Sequence, residues 1–168
     1  QFVRHFISHI NSNTKVIFLS HITSTTALRL PVEEICKVAK ERGIIIFIDG
    51  AHAPGQLPID MRAMDVDYYT GACHKWMMTP QGSSFLYAKR DKQAHIDPLV
   101  ISWGYNYGQP TENLFLNYHQ MNGTRDYTAF LCIPAAIQFM KDLNWEVVAS
   151  HRRELIRQNA DRYFNILQ

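Results

Sequence analysis

The sequence predicts an α/β fold with three layers and a mainly parallel sheet. The first observation is that short apolar runs rich in β-branched and aromatic residues alternate with amphipathic helical patterns. The second is that a strand, a helix and another strand follow one another within about 35 residues, the pattern of a βαβ unit with a right-handed crossover. The third is that the second of these strands is apolar throughout, which is typical of a strand covered on both faces.

The first βαβ unit begins with residues 15–20 (KVIFLS), which predict a short buried strand. A helix opens at Pro31, where the fixed φ of proline costs nothing, and it ends at Gly43, a residue favoured just after a helix. Residues 44–48 (IIIFI) predict the next strand. The unit therefore delivers the chain to the carboxyl edge of the sheet directly after residue 48.

The rest of the chain continues the alternation. Residues 68–70 and 83–88 predict two further strands, and the segment from Gly71 to Trp76 between them predicts a turn. Residues 91–122 predict an irregular stretch, either a surface excursion or an interface. Two helices are predicted at the end, over residues 128–143 and 146–167.

Composition excludes several classes of protein. With 168 residues, of which 46% are hydrophobic and 19% charged, the chain is neither disordered nor collagenous. No apolar run approaches the ~20 residues of a membrane span, so a membrane protein is not expected. A formal net charge of +2 without a basic block argues against nucleic-acid binding.

The three cysteines point to a reducing compartment. Cys36, Cys73 and Cys132 are scattered and odd in number, which argues against a disulfide framework and favours the cytoplasm. Cys73, His74 and His52 show no CxxC or HxxxH spacing that would support a metal site, and none is predicted.

Two residues at strand ends carry the chemical hypothesis. Asp49 follows a buried strand, where ligands of open α/β sheets bind, and Lys75 lies between two apolar strands. A partly desolvated lysine can form a Schiff base, and a carboxylate can pair with a protonated pyridine nitrogen, as pyridoxal phosphate enzymes require. From spacing alone, a turn cap for Asp49 and a solvated loop position for Lys75 stay open as alternatives.

The amino-acid sequences of these two segments also resemble a known family. Residues 49–55 (DGAHAPG) and 67–76 (DYYTGACHKW) resemble the class V aminotransferase-like family of pyridoxal phosphate enzymes, in particular its isopenicillin N epimerase-like branch, which is related to cysteine desulfurases. Weaker matches at residues 16–24 (VIFLSHITS) and 123–126 (GTRD) extend the resemblance over most of the chain. It implies the large domain of a fold-type-I enzyme, a pyridoxal 5'-phosphate cofactor and a homodimer whose cofactor sites are shared between subunits.

The resemblance also implies roles for individual residues. Lys75 would be the Schiff-base lysine and would shuttle the proton at the substrate Cα, and Asp49 would pair with the pyridine nitrogen. His52, where the family often has Gln, would lie beside the phenolic oxygen of the ring. His74 would help to hold the phosphate, and Thr124 would reach the phosphate of the partner subunit's cofactor. A structural turn remains the alternative for both His52 and Thr124.

The sequence departs from the family pattern at two positions. Ala72 stands where relatives often have a phosphate-binding Ser, so His74 or a neighbour would have to compensate. Ser24 corresponds roughly to an Asn that lies near the ring in desulfurases, which makes Ser24 a weak cofactor-binding candidate.

The resemblance predicts that this chain is the central fragment of a large domain. Residues 1–145 would form part of the domain that binds pyridoxal phosphate, and residues 146–168 a helix leading toward a C-terminal small domain. The phosphate-cradling turn, the ring-stacking residue and the arginine for the substrate carboxylate would lie outside the chain. We therefore expect the fragment alone to be inactive and to hold the cofactor weakly.

The predicted function is that of a pyridoxal phosphate enzyme acting at the Cα of an amino acid, similar to isopenicillin N epimerase. Cysteine desulfurase or sulfur lyase chemistry and transamination are the alternatives within the same family. A non-catalytic remnant, or a subunit that packs against a complete enzyme, is the alternative outside it.

Overall fold

A computed structural model describes residues 1–105 and 113–167 of the chain. The elements, in chain order, are α1 (Phe2–Ser8), β1 (Val16–Ser20), α2 (Val32–Glu41), β2 (Ile45–Asp49), β3 (Tyr68–Ala72), β4 (Ser84–Ala88), a 3₁₀-helix (Arg90–His95), α3 (Leu114–Gln120), α4 (Thr128–Leu131), α5 (Ile133–Asp142) and α6 (Trp145–Leu167).

The four strands form one sheet in the order β1-β2-β3-β4. The first three strands are parallel, and β4 runs antiparallel to β3. The register pairs Ser20 with Asp49 and Asp49 with Thr70, so that the carboxyl ends of β1 and β2 meet at one edge. The predicted α/β fold with a mainly parallel sheet is confirmed.

Helix α2 covers one face of this sheet. Its first turn carries two acidic residues, Glu33 and Glu34, which favour the positive end of the helix dipole. The buried positions of α2 recur at helical spacing and pack against alternate residues of the strands, and the core consists mainly of Ile17, Leu19, Val32, Ile35, Cys36, Ala39, Ile46, Ile48 and Tyr69. Burial raises the pKa of the Cys36 thiol to about 12, so this cysteine acts as a core residue rather than a nucleophile.

The opposite face of the sheet is aromatic. Phe18, Phe47 and Tyr68 lie side by side across β1, β2 and β3, with ring centroids 5.3 and 5.7 Å apart. Phe18 is 63% exposed, so solvent reaches this face at β1.

Several predicted boundaries are wrong in instructive ways. Strand β3 continues through Ala72, so the turn begins two residues later than predicted. The predicted irregular stretch 91–122 contains α3 and most of the 3₁₀-helix, while residues 106–112 of it lie outside the described residues. The helix predicted over residues 128–143 is two helices that meet at Cys132, because Pro134 lacks an N–H and favours the first turn of a new helix.

The final helix agrees with its prediction, since α6 begins at Trp145, one residue earlier than expected. Residue 168 lies outside the described residues. Across residues 1–105 and 113–167, no helix is both long enough and apolar enough to cross a bilayer.

The loop after β2 packs directly on the turn after β3. Gly55 has a φ of +82°, and a Cβ built on it would lie 2.5 Å from the carbonyl oxygen of Trp76. Gly50 is similarly enclosed, because its Cβ would lie 2.1 Å from the ring of Tyr69. A side chain at position 55 would therefore push the two loops apart, and one at position 50 would displace the Tyr69 ring of β3.

We expect Gly55→Ala to destabilise the protein by about 2–4 kcal/mol, because it adds both a left-handed backbone penalty and a clash with main-chain atoms. Gly82→Ala is the matched control, since Gly82 also has a positive φ, of +104°, but no atom lies within 4 Å of its Cβ position. The control should lose only about 1 kcal/mol in urea denaturation. Equal losses from the two variants would show that the close approach at Trp76 is not a constraint.

Candidate active site

The carboxyl edge of the sheet brings four predicted site residues into two adjacent loops. Asp49 is the last residue of β2, and His52 lies three residues further along the same loop. His74 and Lys75 lie in the turn that follows β3. Because β2 and β3 are parallel neighbours, the two loops leave the sheet side by side and pack together at Gly55.

The carboxylate of Asp49 is held by the backbone of its own loop. Its Oδ1 accepts the N–H of Ala51 at 2.9 Å, which is the pattern of an Asx turn. The carbonyl oxygen of Asp49 accepts the N–H of His21 at 2.8 Å, and the neighbouring Gly50 donates its N–H to the carbonyl of Thr70 at 2.9 Å. The side chain is thus fixed through one oxygen, which leaves lone pairs on the carboxylate to accept from a ligand.

His52 joins Lys75 and Trp76. Its Nε2 lies 3.0 Å from the Lys75 Nζ, and its Nδ1 accepts the indole N–H of Trp76 at 3.3 Å. Desolvation by burial lowers the pKa of His52, the charge of Lys75 lowers it further, and Asp49 opposes both effects. The charges of both Asp49 and Lys75 therefore act on the pKa of His52.

His74 has the opposite hydrogen-bond arrangement. Its Nδ1 lies 2.8 Å from the carbonyl oxygen of Ser83, and since a carbonyl only accepts, Nδ1 carries a proton. The Ser83 hydroxyl is buried and lies 2.5 Å from the hydroxyl of Thr79. This arrangement fixes the orientation of the His74 ring.

A buried His21–Tyr69 pair supports the floor of the site, and the sequence analysis missed it. The His21 Nδ1 lies 2.9 Å from the Tyr69 hydroxyl, and both residues are almost fully buried. Burial lowers the pKa of His21 and raises that of Tyr69, so both side chains are held uncharged. The sequence features that could have indicated this pair are a histidine directly after β1 and a tyrosine at a core position of β3.

Two predicted residues are not gathered into this cluster. Ser24 is exposed in the loop between β1 and α2, and Thr124 is exposed in a bend after Gly123, which has a φ of +102°. Within the described part of the chain, no hydrogen bond joins Ser24 or Thr124 to Asp49, His52 or Lys75. Their proposed contacts with the cofactor stay predictions.

The functional groups of Asp49, Lys75 and His52 suit the predicted cofactor. A carboxylate, a lysine amine and an imidazole N–H can meet, respectively, a pyridinium nitrogen, an aldehyde and a phenolic oxygen. Cys73 adds nothing to this set, since burial raises the pKa of its thiol. Residues 1–105 and 113–167 contain no group of three or more His, Cys, Asp or Glu side chains arranged to hold a metal.

Comparison with known proteins points to one family. A family model described as aminotransferase class-V matches residues 2–166. The isopenicillin N epimerases of Streptomyces clavuligerus and Amycolatopsis lactamdurans are 35% and 36% identical to the chain, over 89% of its length in each case. The L-cysteine desulfhydrase of Arabidopsis thaliana is 32% identical over 75% of the chain. The chain spans 40% of the length of each epimerase and 27% of the desulfhydrase.

Solved structures show the same fold. The cystine C–S lyase C-DES, in complex with cysteine persulfide, superposes with a TM-score of 0.74 at 27% identity, over 84% of this chain and 39% of that one. A C-DES variant with glycine covalently linked to its PLP cofactor gives a TM-score of 0.72, also at 27% identity, over 82% of this chain and 38% of that one. The apo cysteine desulfurase of Thermococcus onnurineus gives 0.76 at 20% identity, over 88% and 38%, which shows the fold alone.

These findings confirm the predicted fold type and indicate pyridoxal phosphate as the cofactor of the family. The family match covers almost the whole chain, including the Asp49 and Lys75 loops. The chain belongs to the class V aminotransferase family.

Proposed function

We propose that this chain carries the central part of a pyridoxal phosphate enzyme that acts at the Cα of an amino acid, and that the reaction is epimerisation of the isopenicillin N type. The observation that carries the proposal is the pairing of the Lys75 amine with His52, at 3.0 Å, near enough to Asp49 for the charge of its carboxylate to act on the pKa of His52. The similarity to two epimerases over 89% of the chain supports the choice of reaction.

The residues of this chain divide the chemistry among them. Bound pyridoxal phosphate supplies an electron sink for negative charge at Cα. Asp49 would accept a hydrogen bond from the ring nitrogen and would keep that nitrogen protonated. Lys75 would hold the aldehyde group through Nζ, and the same Nζ would serve as the general base for the proton at Cα.

The remaining site residues hold the cofactor. His52 would donate a hydrogen bond to the phenolic oxygen of the ring, and His74 would donate to the phosphate. Thr124 would serve the phosphate of a partner subunit's cofactor, which makes a homodimer the proposed assembly. Residues 1–145 would then be part of the large domain, and residues 146–168 the connection to a small domain, so that the chain alone would be inactive.

Sulfur lyase activity is the second candidate. It is favoured by the 27% identity to C-DES and by the desulfhydrases, which match 75–83% of the chain at 30–35% identity. Cys36 and Cys73 are buried and Cys132 is partly buried between α4 and α5, so a mobile reactive cysteine of the desulfurase type is not among the described residues.

Three assays of the full-length protein separate the reactions. Epimerisation predicts that isopenicillin N changes configuration at one Cα, as measured by chiral chromatography, without sulfide release from L-cysteine. Sulfide release would support the lyase, and amino transfer to a 2-oxo acid would support an aminotransferase. A protein that binds no pyridoxal phosphate would contradict the proposal and favour a non-catalytic remnant.

We expect Lys75→Ala to abolish borohydride-reducible attachment of pyridoxal phosphate and to lower turnover by at least about 10³-fold, because Lys75 would supply both the amine and the base. Peptide mapping by mass spectrometry measures the attachment. Lys37→Ala, on the exposed side of α2, is the control and should keep it. Continued attachment in Lys75→Ala would remove Lys75 from the site.

We expect Asp49→Asn to retain the cofactor while turnover falls by about 10²–10⁴-fold, since an amide does not hold the ring nitrogen protonated. Asp97→Asn, at an exposed position after the 3₁₀-helix, should leave turnover unchanged. Absorbance of the bound cofactor and the initial rate are measured together for both variants. Equal rates in the two variants would exclude Asp49 from the reaction.

A further inference from the structure

Helix α6 is hydrogen-bonded to the loop that follows β2. The indole N–H of Trp145 donates to the Gly55 carbonyl at 2.6 Å. The guanidinium of Arg153 donates through Nη1 to the carbonyl of the next residue, Gln56. Gly55 also lies against the Trp76 carbonyl, since a Cβ on Gly55 would be 2.5 Å from that oxygen. The same short stretch of the loop is therefore held both by α6 and by the turn after β3.

The two donors belong to one stripe of α6. Trp145, Ala149 and Arg153 are spaced four residues apart, and residues at this spacing are neighbours on a helix surface. Ala149, in the middle of the stripe, is buried, and its small side chain lets the helix approach closely. The guanidinium carbon of Arg152 lies 5.9 Å from the centre of the Trp145 ring, which adds a cation–π contact to that ring. The first half of α6 thus packs on the loop through a defined face.

The contacts from α6 complete the hydrogen bonding of the loop. The N–H of Ala53 donates to the Gly50 carbonyl at 2.8 Å, and those of Gln56 and Leu57 donate to the Ala53 carbonyl at 2.9 and 3.0 Å. These consecutive turns use the carbonyls of the first part of the loop. The carbonyls at its end, of Gly55 and Gln56, receive their donors from α6. Because main-chain polar groups need partners, α6 fixes the end of the loop.

The end of the loop lies close to the candidate site. The turn that the Ala53 N–H closes on the Gly50 carbonyl carries His52 at its third position. Gly55 follows His52 by three residues, and the His52 Nε2 lies 3.0 Å from the Lys75 Nζ. A displacement of the loop at Gly55 would therefore move the His52 ring relative to Lys75.

We propose that Trp145 and Arg153 are positioning residues that hold the loop of residues 50–57, and with it His52, in the geometry that receives the cofactor. This inference rests on the proposed function, since it assumes that the loop meets pyridoxal phosphate. It adds two residues of α6 to a site whose other members lie in the loops after β2 and β3.

Arg157 provides a matched control on the same helix. It lies one turn beyond Arg153 and pairs with Glu154 of α6 at 2.8 Å, an exposed ion pair of the kind that contributes little to stability. Arg153→Met and Arg157→Met each remove one guanidinium and retain an unbranched side chain. Trp145→Phe removes the indole N–H and retains an aromatic ring.

The first experiment measures the loop itself, in the full-length protein freed of cofactor. Amide hydrogen exchange, followed by mass spectrometry, should become about fivefold faster over residues 50–57 in Arg153→Met and in Trp145→Phe, the size of one lost hydrogen bond. Exchange over α2 should not change, and Arg157→Met should match the unmodified protein. Unchanged exchange over residues 50–57, or an equal rise over α2, would overturn the proposal.

The second experiment measures the site, through the dissociation constant of pyridoxal phosphate and the urea midpoint of the cofactor-free protein. We expect the dissociation constant to rise about fivefold in Arg153→Met and Trp145→Phe at an unchanged urea midpoint, and to stay constant in Arg157→Met. Arg153→Lys, which restores a donor, should recover part of the affinity. A lower urea midpoint with an unchanged dissociation constant would show a merely structural role and overturn the proposal.

The two experiments keep this inference separate from the proposed function. Binding of pyridoxal phosphate to the unmodified protein with the same affinity in all variants would overturn the positioning role alone. A failure of the unmodified protein to bind the cofactor would contradict the proposed function, and with it the role of the loop contacts in the site. Borohydride trapping at Lys75 tests that function independently of α6.

Discussion

The parallel register of β1, β2 and β3 is the constraint on which the candidate site depends. It pairs Ser20 with Asp49 and Asp49 with Thr70, so the loops that follow β1 and β2 leave the sheet at the same edge. Apolar side chains at alternate positions of these strands are buried under α2, and a slip of one residue would turn them away from it. The same slip would move Asp49 to the face under α2, so core packing and site geometry are specified together.

Beneath the site, the buried His21–Tyr69 pair links β1 to β3 across the central strand. A buried polar group is costly when it loses its partner, by about 1–3 kcal/mol, so this pair fixes the end of β1 relative to β3. His21 also donates its backbone N–H to the Asp49 carbonyl, and the Tyr69 ring fills the space that a side chain at position 50 would need. The residues that surround the Asp49 backbone thus belong to the core rather than to the reacting surface.

The sequence predicted what depends on local pattern. Residues 44–48 form a continuous apolar run, and the buried positions of α2 recur at helical spacing. Both patterns are local, so the bounds of β2 and α2 were predicted nearly to the residue. Helices α1 and α3 have seven residues each and bury none fully, and they are shorter than the window of about 11 residues over which a helical period is recognised. Motifs likewise identified Asp49, His52, His74 and Lys75, but the contact of Trp76 with His52 depends on how two loops pack across Gly55, which no local pattern records.

The two histidines of the site show that packing, rather than residue type, determines the hydrogen-bond partner of each ring nitrogen. His74 donates its Nδ1–H to the Ser83 carbonyl, which leaves Nε2 as the ring nitrogen that can meet a ligand. His52 instead accepts the indole N–H of Trp76 at Nδ1, and its Nε2 faces the Lys75 Nζ. Opposite partners at the same ring atom therefore orient the two rings differently, one toward Ser83 and the other between Trp76 and Lys75.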